Sequence, residues 1–500
     1  MKLRAPLAVT MICLATASCE SEPEVLPPLG YHLLTIDTDA LVPAGLSAEV
    51  DPAARAPLFD SLEITVLFEG ETVPRPENIR QTPINADTFS AEGSGASFTI
   101  TREPSLADSV EGETPAAFGA RPRVRARLYR LDASYEGRVR EETAIDVWAQ
   151  LPPTPETGAI ETTIYLLTDD VGTTKGSAEA PLGPSDAPEA RVRPGRPEST
   201  LVGTWPGAVE VDCSTDDREG RICVPGGAYW MGNPIVKGTD FVESDRQRLV
   251  VLSPFYLDTK EVTVGDFRSW VAANPSGPVD VTAQSPDPAD AAHFCTFTPE
   301  AGDGDDRPVN CVSWATAQSY CQDQGSKLPT EAQFEYASGA LRSALYVWGT
   351  DQAAICEAAV WGRGGRSGTA IAGVGSDKCL PPAEVDGPLP LTDATIKASR
   401  ITDKVELRGG LVFDLAGNLQ EWQSDYFSAQ DGPCWKRTDA KSNVFVDPNC
   451  TDQGVDGDRS VRGGSWIQNR DFLRAAYRTR ASAGNATRYD VGFRCAQSDD

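Results

Sequence analysis

Five hundred residues exceed one ordinary domain and point to two or three. A formal net charge of −28 argues against nucleic-acid binding, which needs basic stripes, and against broad adhesion to anionic lipid. With only His32 and His293 in the chain, imidazole-rich metal sites and most His-based acid/base mechanisms are excluded.

The chain opens with "MKLRAPLAVTMICLATASCESEP". Lys2 and Arg4 form a positive stretch, Ala5 to Leu14 a short apolar run, and Ala15 to Ser18 a set of small residues before Cys19. The apolar run is too short to span a bilayer and reads as an export signal. Small residues directly before Cys19 resemble a bacterial lipobox. That resemblance implies cleavage after residue 18, a lipid anchor on Cys19, and a membrane-anchored lipoprotein of the cell envelope. Residues 19–29, rich in Glu and Pro, read as the tether.

From 30 to 170 the pattern is of short alternating runs, among them "YHLLTID", "SLEITVLFE", "PRVRARLYRLD" and "IETTIYLLTD", bounded by turn residues. They predict an all-β, sandwich-like antiparallel domain with no catalytic constellation. Residues 171–207, poor in apolar side chains and rich in Pro and Gly, predict a linker. A second domain over 208–500 follows, entered through a small hairpin, "VDCSTDDREGRICVPGGAYWMG".

Setting aside Cys13 and Cys19, ten of the twelve cysteines remain, an even number in an exported chain, which reads as disulfides. No CxxC pair suggests zinc. Local spacing suggests Cys213–Cys223, Cys295–Cys311, Cys356–Cys379 and Cys434–Cys450, with Cys321 and Cys495 left over; connectivity stays open at this level.

Five blocks then occur in order: "VPGGAYWMG" (224–232), "VVLSPFYLDTKEVTVGDFRSWVAA" (250–273), "RPVNCVSWATAQSYCQDQGSKLPTEAQFEYASGA" (307–340), "LVFDLAGNLQEWQSDYF" (411–427) and "SVRGGSW…YDVGFRC" (460–495). Together they resemble the formylglycine-generating enzyme family, also called the sulfatase-modifying-factor domain, over about 222 to 497. The resemblance implies a loop-rich α+β variant of the C-type lectin fold, stapled by disulfides, with Cys321 paired to Cys495. It implies calcium held by Asp414 and Glu421 side chains with the carbonyls of Gly417 and Leu419, an oxygen-only set suited to a hard cation. At the family's other calcium loop Ala359 stands where Asn is expected, and the family's second disulfide lacks partners near Ala337, Ser338 and Thr479.

Active family members hold Cu(I) with two cysteines after the Arg-Gly-Gly-Ser turn and oxidise a substrate cysteine. Here those positions are Gln468 and Leu473, so the resemblance implies a site without copper ligands. An iron site would need His32 and His293 from different domains. What remains around the turn is a basic and aromatic rim: Trp466, Arg470, Phe472, Arg474, Tyr477, Arg478 and Arg480. Arg forks bind carboxylates and aromatics hold sugars or peptides, or the arginines pair internally with the chain's many acids. Trp422, Trp314 and Trp348 read as core. The expected function is a binding module that grips a peptide, glycan or protein; the alternatives are an oxidoreductase with a non-standard metal site and a purely structural scaffold.

Overall fold

A computed structural model of the chain describes residues 30–45, 57–89, 96–100, 119–131, 139–183, 191–215, 218, 220–233, 246–275, 277–349, 359–362, 404–407, 410–429, 432–436, 443–454, 456–484, 486 and 488–499. Two compact units emerge. One runs through segments up to Val202; the other is Gly203–Asp500 with the short excursions 49–58 and 132–143. The export signal, Cys19 and the tether lie outside the described residues.

The first unit's described elements are strands and short 3₁₀ turns. The strands are β1 (Tyr31–Thr38), β2 (Ser61–Leu67), β3 (Ile79–Pro83), β4 (Ser97–Ile100), β5 (Arg123–Tyr129), β6 (Ile145–Gln150), β7 (Ala159–Leu166), β8 (Thr174–Lys175) and β9 (Val192–Pro194). They form a four-stranded sheet, β4-β1-β7-β9, and a five-stranded sheet, β3-β2-β5-β6-β8. The sequence "RVRARLY" shows why β5 sits centrally. Its period of two buries Val124, Ala126 and Leu128 completely while Arg123, Arg125 and Arg127 keep partial access to water.

Two expectations change here. The pairing is mixed rather than antiparallel throughout, because β1 runs parallel to β7, and β6 to β8. The stretch expected to be a linker, 171–207, contributes β8 and β9 to the two sheets, and Thr200 Oγ1 donates to Asp37 at 2.8 Å. Composition misled because short edge strands tolerate Pro and Gly.

The second unit holds β10 (Arg221–Val224), β11 (Gly227–Met231), β12 (Arg248–Leu252), β13 (Phe255–Asp258), α1 (Val264–Ala273), α2 (Trp314–Asp323), α3 (Glu331–Ser338), β14 (Lys404–Leu407), β15 (Gly410–Phe413), β16 (Gln420–Tyr426), β17 (Phe445–Val446), β18 (Asp458–Arg462), β19 (Arg478–Ser482), β20 (Val491–Gly492) and β21 (Ala496–Ser498). The strands make small sheets: β10-β13-β21, β11-β12-β17, β14-β15 and β19-β18-β16-β20. Each helix starts at a hydroxyl cap. Thr263 and Ser313 accept from the third residue beyond, and Thr330 with Gln333 forms a reciprocal capping box.

Little regular structure means modest apolar burial per residue, and disulfides compensate. Cys213–Cys223, Cys295–Cys311, Cys321–Cys495 and Cys434–Cys450 are all formed. The fifth expected pair, Cys356–Cys379, lies outside the described residues. Among the tryptophans, Trp422 is fully buried in the core with Val461 and Phe493. Trp314 is half-buried, its Nε1 donating to the Gln423 carbonyl at 2.7 Å, and Trp348 stacks on Tyr346 with ring centroids 5.0 Å apart.

Candidate functional site

The Arg-Gly-Gly-Ser-Trp turn leaves β18 through Gly463 and Gly464, at φ 96° and 71°. Glycine is required at 464 twice over. Positive φ disfavours any Cβ, and a Cβ there would lie 2.5 Å from the Phe472 carbonyl oxygen. This close approach folds 465–474 back over the turn. Trp466 N–H then donates to the Asn418 carbonyl at 2.8 Å, its ring buries between Phe294 and Tyr489, and Gly362 N–H donates to the Gln468 carbonyl at 2.9 Å. A 3₁₀ turn, Arg470–Leu473, follows, capped by Asn469.

The structure sorts the expected ligand-binding residues into two groups. Trp466, Tyr477 and Arg478 are buried and do not face a ligand. Trp466 and Tyr477 fill space, the latter against Phe472 at 4.7 Å. Arg478 is an internal ion-pair partner: Nε and Nη2 donate to Glu331 at 3.0 and 2.7 Å, and Nη2 also donates to the Ser428 carbonyl. Arg470, Phe472 and Arg474 are half-buried on one short segment, Arg474 with 18% of its side chain exposed and 2.9 Å from Asp471. Arg480 is exposed and pairs with Asp456 at 3.1 Å.

Behind the turn lies a network that the sequence did not announce. Arg462, the arginine of the motif, is completely buried; it meets Glu335 at 2.7 Å and Glu331 at 3.3 Å, and Nη1 donates to the carbonyls of Ala475 and Tyr477. Glu335 also accepts from Gly232 N–H at 2.5 Å. Burial alone would raise the Glu331 carboxyl; Arg478 and Arg462 outweigh it and hold the group below the usual range. Asp425 takes the opposite path. Its oxygens accept from the N–H groups of Glu331 and Cys450 at 2.9 and 2.8 Å, yet burial and the Glu331 charge push it up to about 7. The usable signal was Glu331 and Glu335 at i, i+4, which places both carboxylates on one face of α3.

At the expected copper positions, Gln468 is half-buried and Leu473 is 1% exposed within the apolar core. All eight cysteines among the described residues are in disulfides, so no thiolate faces this turn there.

The expected calcium residues do share one buried turn. Asp414, Gly417 and Asn418 adopt positive φ, and Asp414, Leu419 and Glu421 are 1% exposed or less. One member of the set is already engaged. Both Glu421 oxygens accept from the buried guanidinium of Arg494, at 2.7 to 3.0 Å. Among the described residues no group of three or more His, Cys, Asp or Glu is placed to hold a metal. Ala359, in the other expected calcium loop, is buried in the apolar core.

Comparisons with known proteins bear on the second unit. Residues 207–499 match the model of the sulfatase-modifying factor enzyme 1-like domain. The formylglycine-generating enzyme of Streptomyces coelicolor is 29% identical over 315 residues, covering 56% of this chain and 90% of that protein. The inactive C-alpha-formylglycine-generating enzyme 2 of Bos taurus is 23% identical over 335 residues, covering 60% and 93%. Among solved structures, PvdO from Pseudomonas aeruginosa overlays with a TM-score of 0.35 at 19% identity, covering 59% of this chain and 99% of that one.

Proposed function

The chain belongs to the sulfatase-modifying factor enzyme 1-like family, and from that premise we propose that it is a cell-envelope lipoprotein whose second unit is a non-catalytic binding module. The observation that carries this reading is the pair Gln468 and Leu473, where the family resemblance calls for two thiolates. Leu473 is core and Gln468 offers only an amide, so neither can hold a soft metal ion. The match to an inactive relative is compatible with the reading.

The binding surface is the half-buried segment Arg470, Phe472 and Arg474. It offers guanidinium forks and one aromatic edge, which suits a carboxylate-bearing peptide, glycan or protein. The lipid on Cys19 would tether this surface to the membrane, with the first unit, strand-built in its described parts, as spacer. The second reading, an oxidoreductase with a non-standard metal site, is kept alive by the retained Arg-Gly-Gly-Ser frame.

One experiment separates the two. The purified chain is incubated with Cu(I), O₂, a reductant and a Cys-x-Pro-x-Arg peptide, and the peptide is weighed by mass spectrometry beside an active relative. An unchanged peptide is expected; conversion of its cysteine to an aldehyde overturns the binding-module reading.

A further inference from the structure

The turn joining β15 to β16 closes on a positive charge that belongs to the chain itself. Arg494 is fully buried. Its Nε donates to both oxygens of Glu421, at 3.0 and 2.8 Å, and its Nη2 donates to Glu421 Oε1 at 2.7 Å. Nη2 also donates to the carbonyls of Phe413 and Asp414, at 2.9 and 3.2 Å, and Nη1 to the carbonyl of Asp258 at 3.2 Å. One cationic group therefore gathers a carboxylate and three backbone carbonyls. An all-oxygen shell of that kind is what a hard divalent ion asks for. Of the groups expected to hold calcium, Glu421 is the one these N–H donors satisfy. The far side of the turn is closed as well: Glu261 accepts from Leu419 N–H at 3.0 Å and from Asn418 Nδ2 at 2.5 Å.

We propose that Arg494 is the resident cation of this turn, and that the 413–421 segment holds its shape without a divalent ion. The physical reason lies in how the charge is supplied. A buried carboxylate without a positive partner is strongly destabilising. A guanidinium fixed in sequence beside Cys495, itself bonded to Cys321, reaches Glu421 as soon as the unit folds and cannot be removed by dilution or a chelator.

The test is thermal unfolding of the full chain with excess EDTA and with excess calcium, together with metal analysis after gel filtration. The expected result is the same midpoint in both and no stoichiometric calcium. A calcium-dependent rise in midpoint, which follows from binding to the folded state, that disappears in Asp414→Ala overturns the proposal. A rise that survives in Asp414→Ala places the ion elsewhere and leaves Arg494 in this role. In Arg494→Ala the midpoint is expected to fall in EDTA and to be partly restored by calcium entering the vacated oxygen shell. An unchanged Arg494→Ala midpoint also overturns the proposal. Should that variant not fold, the wild-type and Asp414→Ala measurements decide alone.

Discussion

Two regions use the same chemistry in different solvents. On the five-stranded sheet of the first unit, Arg125 pairs across strands with Asp146 and Arg127 with Glu63. The arginines keep 22% and 16% of their side-chain surface in water. In the second unit, Arg462, Arg478 and Arg494 pair with Glu331, Glu335 and Glu421, with arginine exposures of 2% or less. On the ladder the carboxylates are buried, 2% exposed at Asp146 and 6% at Glu63, but each arginine reaches water, so part of the charge stays solvated. The buried pairs have no such refuge. Taking their charges out of water is expensive, and only mutual pairing and extra hydrogen bonds to carbonyls offset that cost. The ladder gives one face of a sheet its polarity, whereas the buried pairs fix where α3, β18, β19 and the Arg-Gly-Gly-Ser-Trp turn meet.

This contrast can be broken from its strong side first. Glu331→Gln keeps the shape of the side chain but leaves Arg478 and Arg462 under-compensated. Its unfolding free energy in urea is expected to drop by roughly 3–5 kcal/mol, and a loss near zero would show that solvent reaches the network.

A smaller effect comes from the one acid in this region whose environment opposes its charge. Burial and the Glu331 charge push Asp425 up to about 7 in the fold, from the ordinary aspartate value of 3.8. Between those values the folded state holds a proton that the unfolded state has released. This group's contribution to stability therefore falls as pH rises from about 4 to about 7, and is flat above. Urea midpoints across that range should show this slope in the wild type and lose it in Asp425→Asn. An identical slope in both would assign the titration to another group.

The smallest change is expected on the ladder. Arg125→Ala leaves the buried Asp146 carboxylate with the Thr174 hydroxyl at 3.1 Å. Its cost should be about 1–3 kcal/mol by urea titration, below that of Glu331→Gln. A loss as large as that of Glu331→Gln would erase the distinction between the two regions.

Much of the second unit could be read from sequence because its signals are local. Cysteines 10 and 16 residues apart paired as their spacing suggested. The helices around Lys-Leu-Pro-Thr-Glu formed where that block placed them, since the hydroxyl caps lie within the block itself. The Cys321–Cys495 bond spans 174 residues and needed the family resemblance. The rim was only partly legible. Arg474 and Arg478 look alike in a string, yet Arg478 has its partner Glu331 147 residues away, and no local pattern encodes that distance. Trp466 looked like a presenting aromatic because the turn that swallows it depends on Gly464 meeting Phe472. Glu421 showed its oxygen chemistry plainly; that Arg494 would answer it depends on how β16 and the 491–498 stretch come together.

The Cys321–Cys495 bond has one more consequence. It makes 321 to 495 a covalent ring that encloses most of the second unit, from the end of α2 to the start of β21. A protease that cuts once anywhere inside that ring opens it but separates nothing. The two pieces would travel as one band on a denaturing gel until a reductant is added.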